Sequence, residues 1–256
     1  MLLTIGGKDG TGLSPKTVSD VLSIIRRILN YAAQAELEVK CLGRDVRVKQ
    51  SQHKITILSY QEQARLVNYI LLHQTPINLG ILLSLFAGLR VGEVCALRWE
   101  DLSLEDGLLY VNKTMQRIQL NSGSGPKTKV VITEPKSQCS VRHIPLPPEI
   151  LYILQNQEKE NEGFFLTNSK FKYIEPRTLQ NHFKRVLMAC GIKPTNYHCL
   201  RHTFATNCVE LNFDVKTLSE ILGHASVNIT MNRYVHPTME QKRENMSRFS
   251  QFLAVK

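Results

Sequence analysis

Several side chains in the second half of the chain could bind an anion and supply a nucleophile. His198 and Arg201 are three residues apart at the start of a predicted helix, so both side chains can point the same way. The free amides at the N-terminus of the helix also favour an anion there. His224 directly follows Gly223, which is predicted to end a helix, and Tyr234 comes ten residues later on another short helix. Each of these residues alone is ordinary on a protein surface or in a core, so their order along the chain is the informative feature.

A second cluster of charged residues comes much earlier in the chain. Arg90 follows Gly88, which is predicted to end an apolar helix, and Glu93 lies three residues further on, on the same face of a short helix over 91–99. A guanidinium can bind two oxygens of one phosphate, and a phenol becomes a nucleophile once its proton is removed. The combined residue types therefore point to attack on a phosphodiester.

Three segments of the sequence resemble the tyrosine recombinase, or phage integrase, family, and in particular the integrases of bacterial conjugative transposons. Residues 87–102 (AGLRVGEVCALRWEDL) resemble the family's first arginine box, and residues 198–206 (HCLRHTFAT) resemble its H-x-L-R-H-T box. Residues 222–236 (LGHASVNITMNRYVH) resemble the segment that ends at the nucleophile. Three boxes in this order are far more specific than any one of them, and the resemblance extends from about residue 57 to the C-terminus.

The resemblance implies a role for each matched residue. Tyr234 is the expected nucleophile, and Arg90 and Arg201 are expected to clamp the scissile phosphate. His198 and His224 would support them as phosphate ligands and proton-transfer partners. These positive and hydrogen-bonding groups would stabilise the negative charge that develops on the phosphate during in-line attack.

Two further roles follow from the same resemblance. Residues 135–142 resemble the family's P-K-T-x-x-S-x-R stretch, so Lys136 is the expected general acid for the leaving 5′ oxygen, with Lys129 as the runner-up. Glu93 matches the acidic residue that holds the first arginine in place. The resemblance implies no cofactor and no metal, and the sequence contains no P-loop, no acidic cluster suited to two magnesium ions and no zinc pattern.

The hydrophobic pattern predicts an α+β fold, which is mainly helical with a small antiparallel β-sheet over 107–111, 129–133 and 141–146. Residues 1–48 are expected to form a partial helical core-binding segment of the kind that closes a clamp on DNA, about half of a complete one by comparison with the family. Residues 49–57 form a linker and residues 58–256 the catalytic domain. Its last helix, 237–256, would dock either on a neighbouring subunit or on its own domain.

Positive charge is concentrated in two segments of the chain. The 32 Lys and Arg residues exceed the 22 Asp and Glu residues by 10, and the segments 113–143 and 170–201 contribute +5 and +6. Such concentration favours contact with a phosphate backbone, although two solvated faces would give the same pattern. The candidate DNA-binding residues are Lys113, Lys127, Lys129, Arg142, Arg177 and Lys184.

The expected function is site-specific recombination of double-stranded DNA through a 3′-phosphotyrosine intermediate, for integration or excision of a mobile element. A truncated, non-catalytic DNA-binding remnant and a type IB topoisomerase-like relaxing enzyme are the alternatives. The resemblance implies a homo-tetramer on paired DNA sites, together with an accessory DNA-bending or excision factor. The six cysteines form no C-x-x-C pair and no apolar run reaches about 18 residues, so we expect a cytoplasmic, nucleoid-associated bacterial protein that does not contact a membrane.

Overall fold

The computed structural model describes residues 12–37, 46, 48, 55–120, 127–135, 137–158, 162–235 and 239–249. The chain divides into two compact units, Met1–Lys54 and Ile55–Lys256. Lys136, most of the predicted linker and both ends of the predicted last helix lie outside the described residues.

The first unit contains helix α1 (Pro15–Gln34). The Ser14 side chain caps it by accepting a hydrogen bond from the Thr17 amide, and Pro15 occupies the first turn, where a missing amide hydrogen costs nothing. Both features stabilise the start of this helix. Of the apolar stripe along α1, Val18 is buried.

The second unit is mainly helical, and side-chain caps and glycines mark several of its helix ends, although the short helix predicted over 91–99 is α-helical only over Val91–Ala96. Ser59 and Glu62 form a capping box at the start of one helix, with hydrogen bonds in both directions. Gly88 and Gly223 end two helices with φ of 63° and 62°, a conformation that favours glycine. The helices are α2 (Tyr60–Leu72), α3 (Pro76–Ala87), α4 (Val91–Ala96), α5 (Pro148–Gln155), α6 (Pro176–Ala189), α7 (His198–Glu210), α8 (Val215–Leu222), α9 (Val227–Tyr234) and α10 (Met239–Phe249).

The strands form two small antiparallel sheets where the sequence predicted one. Strands β1 (Leu102–Ser103), β2 (Leu108–Val111) and β5 (Arg142–Pro145) form a sheet in the order β1-β2-β5. Strands β3 (Thr114–Gln119) and β4 (Thr128–Thr133) pair with each other in a separate hairpin. The predicted strand over 129–133 therefore pairs with β3 and not with the other two predicted strands. The sequence did not predict β3, because its side chains are mostly exposed and lack the apolar alternation typical of a strand.

The core of the second unit explains how distant residues meet. Helix α3 is apolar on all sides and almost fully buried, and it packs against both α4 and α7. The residues just after α3 are thereby brought next to the N-terminal half of α7. A smaller cluster joins α7, α8 and α9, and its members are Ala205, Cys208, Leu218, Leu222 and Tyr234. In the part of the chain that is described, none of the helices combines the length and the apolar character needed to span a bilayer.

Candidate active site

Arg90 and Glu93 form an ion pair at the start of α4. Arg90 Nη1 lies 2.7 Å from Glu93 Oε1, and the Arg90 amide donates to Glu93 Oε2 at 2.8 Å. Glu93 is buried, whereas about a third of the Arg90 side chain is exposed (35%). The carboxylate therefore fixes one edge of the guanidinium and leaves part of the group open to a ligand.

Arg201 is almost completely buried on α7 (2% exposed). Its Nη1 donates to the Gly88 carbonyl at 2.8 Å and its Nη2 to the Leu222 carbonyl at 2.6 Å. Burial and the neighbouring charge of Arg90 lower the pKa of Arg201. The guanidinium is nevertheless fixed between two helix ends, in the rigid arrangement that a phosphate clamp requires.

The C-terminal end of α8 accepts hydrogen bonds from three arginines. Carbonyls at a helix C-terminus lack partners within the helix and carry the negative end of the helix dipole. Here three consecutive carbonyls each bind a different guanidinium, so the segment that carries His224 is tied to both predicted phosphate clamps. The pairs are Arg142 Nε with Ile221 O (2.6 Å), Arg201 Nη2 with Leu222 O (2.6 Å) and Arg90 Nη2 with Gly223 O (3.1 Å).

Arg142 lies inside the protein, which corrects the prediction that it contacts DNA. Its side chain is 5% exposed, and Nη1 and Nη2 lie 3.2 and 3.0 Å from the two oxygens of Glu93. Nη1 also donates to the Ser140 carbonyl at 3.0 Å. Burial alone would raise the pKa of Glu93, but the charges and hydrogen bonds of Arg142 and Arg90 outweigh it and lower this pKa. Glu93 is thus an ionised bridge between two arginines.

The two predicted histidines lie at helix ends near the arginines. His198 begins α7 and is exposed, and partial desolvation together with the charges of Arg201 and Arg233 lowers its pKa to about 4. His224 Nδ1 lies 2.8 Å from Thr230 Oγ1, and desolvation and the nearby arginines lower its pKa to about 4 as well. Both rings are therefore neutral at physiological pH.

Tyr234, the predicted nucleophile, is the last residue of α9 and is buried (8% exposed). Its hydroxyl oxygen lies 2.7 Å from Nδ1 of His202. Burial raises the pKa of Tyr234, while the charges of Arg201, Arg233 and Arg90 oppose that shift. The sequence predictions did not include His202, although it lies within the H-x-L-R-H-T box, one helical turn after His198 and therefore on the same face of α7.

The remaining predicted DNA-binding residues differ in their surroundings. Lys127 and Lys129 are exposed on or beside the β3–β4 hairpin, and Arg177 and Lys184 are exposed on α6. Lys113 is only partly exposed, and its ammonium lies 3.3 Å from Asp101 and 3.5 Å from Glu100. Four of the six candidates are therefore open to a ligand.

An ion pair connects the basic hairpin to the start of α6. Arg117 on β3 donates from Nε and Nη2 to the two oxygens of Glu175, the residue before α6, at 2.9 and 2.5 Å. The basic residues of the hairpin and of α6 therefore belong to neighbouring surfaces.

Across the described ranges, no group of three or more His, Cys, Asp or Glu residues could hold a metal ion.

Comparison with known proteins identifies the family. Residues 56–241 match the phage integrase family, and the chain belongs to this family. This result confirms the family expected from the three sequence boxes. The arginines, histidines and tyrosine described above all lie within the matched residues.

Two relatives and one solved structure extend this result. A XerC-like tyrosine recombinase of Caldanaerobacter subterraneus subsp. tengcongensis is 26% identical over 255 residues, which cover 90% of this chain and 65% of the relative. The tyrosine recombinase XerA of Pyrococcus furiosus is 30% identical over 197 residues, 75% of this chain and 60% of the relative. This chain thus spans less than two thirds of the length of either relative.

The solved structure is the Tn1549 transposon integrase in complex with transposon right end DNA. It aligns with 93% of this chain and 81% of its own, with a TM-score of 0.74 and 24% identity. The similarity confirms the predicted fold class, which is mainly helical with small antiparallel sheets.

Proposed function

We propose that this chain is a site-specific tyrosine recombinase that cleaves and rejoins double-stranded DNA through a covalent bond to Tyr234. The observation that supports this most strongly is the convergence of Arg90 and Arg201 on the end of α8, beside the tyrosine-bearing helix α9. Membership of the phage integrase family and the names of the relatives, which are tyrosine recombinases, support the same activity.

The proposed reaction begins when the scissile phosphate binds between the two arginines. Tyr234 Oη attacks phosphorus, a P–O bond forms, and the bond to the 5′ oxygen of the next nucleotide breaks. The hydroxyl proton of Tyr234 leaves to a base, and a general acid, for which the sequence indicates Lys136, gives a proton to the leaving oxygen. The fixed guanidiniums stabilise the charge on the non-bridging oxygens in the transition state.

The second half of the reaction reverses the first on a different strand. A 5′ hydroxyl from a partner DNA gives its proton back to the group that acted as general acid and attacks phosphorus. A new phosphodiester forms, the bond between phosphorus and Tyr234 Oη breaks, and Tyr234 regains its proton from the base. Because the covalent intermediate keeps the energy of the broken bond, strand exchange needs no ATP. His198 and His224, with neutral rings, can donate hydrogen bonds to the phosphate at both stages.

The proposed substrate is double-stranded DNA at the ends of a mobile element, which the chain would integrate or excise. The exposed basic residues on the β3–β4 hairpin and on α6 support DNA binding, as does the DNA bound to the Tn1549 integrase. We further propose that a tetramer acts on two paired sites in the bacterial nucleoid, with an accessory DNA-bending or excision factor.

A covalent-trapping experiment tests the activity. Nicked duplexes tiled across the DNA that flanks the gene would be incubated with the protein, since a nick beside the scissile phosphate lets the short leaving strand diffuse away. We expect a denaturant-resistant protein–DNA adduct on a subset of the duplexes. Tyr234→Phe, which removes only the nucleophilic oxygen, should bind the same duplexes and form no adduct.

The same experiment separates the alternatives. Salt-dependent binding of wild-type protein with no adduct on any duplex would favour a non-catalytic remnant. Adduct formation combined with relaxation of supercoiled plasmid in the absence of partner DNA would favour a topoisomerase-like activity. An adduct of equal yield with Tyr234→Phe would exclude Tyr234 as the nucleophile.

A further inference from the structure

We propose that His202 is the group that accepts the proton of Tyr234 when the nucleophile attacks. This inference rests on the proposed function and assigns a further catalytic residue to the same site. The geometry points to it because the Nδ1 atom of His202 lies 2.7 Å from the hydroxyl oxygen of Tyr234, within direct reach for proton transfer.

The other two histidines of the site have different contacts. His224 lies on the turn between α8 and α9, and its Nδ1 atom is 2.8 Å from Oγ1 of Thr230 on α9. The ring of His198 meets the edge of the His202 ring, with centroids 4.5 Å apart and planes nearly perpendicular (87°). His198 therefore packs against His202, whereas His202 contacts the nucleophile itself.

The position of His202 is held from two sides. It is buried on α7, and its ring contacts the ring of His198, with centroids 4.5 Å apart, and the ring of Tyr234, with centroids 5.7 Å apart. Such a fixed ring keeps one lone pair directed at one oxygen, which is the arrangement that a general base needs.

The charges around His202 set its pKa, which differs with and without a bound phosphate. Desolvation and the neighbouring positive groups lower its pKa to about 4, so in the absence of DNA the ring is neutral and its Nδ1 can accept a hydrogen bond. A bound phosphate adds negative charge beside the same cations and therefore raises this pKa towards the range in which a base works well. The ionisable groups that face His202 are His198, Arg201, His224, Arg233 and Tyr234.

Two substitutions separate proton acceptance from simple positioning. His202→Asn places an amide oxygen near the position of Nδ1, so it can still accept the hydrogen bond of Tyr234 but cannot take the proton. His202→Ala removes both functions and leaves space for added imidazole. Single-turnover cleavage of a nicked duplex that wild-type protein has been shown to cleave would be measured from pH 6 to 9, with DNA binding measured in parallel.

If His202 is the base, cleavage by His202→Asn should be slower than wild type by about 100-fold or more, with DNA binding unchanged. The rate of this variant should rise with pH, because hydroxide then takes the proton, and imidazole should accelerate cleavage by His202→Ala. Wild-type rates for His202→Asn would overturn the proposal in favour of positioning. Faster cleavage by His202→Ala would overturn it too, because the histidine would then be restraining the nucleophile.

The design also keeps this proposal separate from the proposed function. Absence of an adduct with wild-type protein would contradict the recombinase activity itself. An adduct with wild-type protein and an equal rate for His202→Asn would contradict the role of His202 alone. Urea denaturation of each variant identifies any loss of folding, and rescue by imidazole is a result that a merely structural role would not give.

Discussion

Replacement of Arg142 by Met would test whether the buried arginine–carboxylate bridge holds the site together. Arg142→Met keeps an unbranched side chain in the space and removes every hydrogen bond donated by the guanidinium. Glu93 then keeps Arg90 as a partner but loses two hydrogen bonds, and the carbonyls of Ser140 and Ile221 lose one each. The change therefore leaves a buried carboxylate and two carbonyls incompletely paired.

The size of the effect follows from these contacts. Removal of one partner from a buried ion pair costs about 3–5 kcal/mol, and each carbonyl left without a partner adds roughly 1–3 kcal/mol where water cannot reach it. The sum is an upper figure, because Glu93 keeps Arg90 as a partner and relaxation of the loop lets water reach the carbonyls. We therefore predict a loss of about 4 kcal/mol in the free energy of unfolding. For a unit of this size such a loss lowers Tm by roughly 8–16 °C.

Arg117→Met provides a matched control, because Arg117 also makes a two-point ion pair with a glutamate but is about half exposed (46%). Exposed pairs stabilise little, so this variant should unfold close to wild type. Urea denaturation and thermal unfolding of both variants at pH 7 are the measurements. Equal stability of the Arg142 and Arg117 variants would refute the reasoning, because burial would then make no difference to the bridge.

Acid should reveal the same bridge in the wild-type protein. The pKa of Glu93 is lowered in the folded state, so its contribution to stability is present above the ordinary carboxyl pKa and is lost as pH falls through the lowered value. In Arg142→Met the main cause of the lowered pKa is gone. The variant should therefore lose less stability than wild type between pH 5 and pH 3, measured as the change in the urea midpoint.

Two further predictions concern packing and pH. Gly92→Ala should lower the free energy of unfolding by about 1–3 kcal/mol, because α4 packs closely on β3 at this position. The added methyl carbon would lie 2.6 Å from Thr114 Oγ1 and 2.7 Å from the Met115 carbonyl oxygen. An unchanged urea midpoint would contradict this close approach. The folded protein should also lose stability as pH falls from about 6.5 towards 4. In this range histidines bind protons in the unfolded chain, whereas three site histidines with a pKa of about 4 stay neutral in the folded protein. Urea midpoints at pH 7.5, 6 and 5 would show this decline, and a flat profile would contradict it. These histidines are His198, His202 and His224.

The sequence predicted which residues meet, but only because the boxes could be aligned with a family. No local pattern indicates that Gly88 and Arg201 are neighbours, since that contact depends on the packing of α3 against α7. Helix starts were predictable from short-range chemistry, as at Ser14 and Ser59, where a hydroxyl caps the first turn. Strand β3, and with it the β3–β4 hairpin, was missed because its mostly exposed side chains do not alternate between apolar and polar.

Arg142 shows that the number of charges in a segment does not reveal which basic side chains are buried. The sequence prediction treated it as part of a positive surface, yet β5 alternates strictly, so that Arg142 shares its inward face with Ile144. The sequence does not single out this inward face, because Val141 and Pro145, on the other side of the strand, are apolar as well. A buried arginine needs a carboxylate, and Glu93 is the acidic residue that the family resemblance had already assigned to Arg90.

The electrostatics of the site explain why one carboxylate serves two arginines. Three guanidiniums at the end of α8 repel one another, and Glu93 together with the partial negative charge of the helix terminus offsets only part of that positive charge. A second carboxylate would remove a further unit of positive charge and would occupy the part of Arg90 that is now open to a ligand. With a single shared carboxylate, the arginines are held in place while a net positive charge remains at the exposed part of Arg90. An anion such as a phosphate bound there would offset part of the remaining positive charge, so the contacts that fold the site also leave it able to attract an anion.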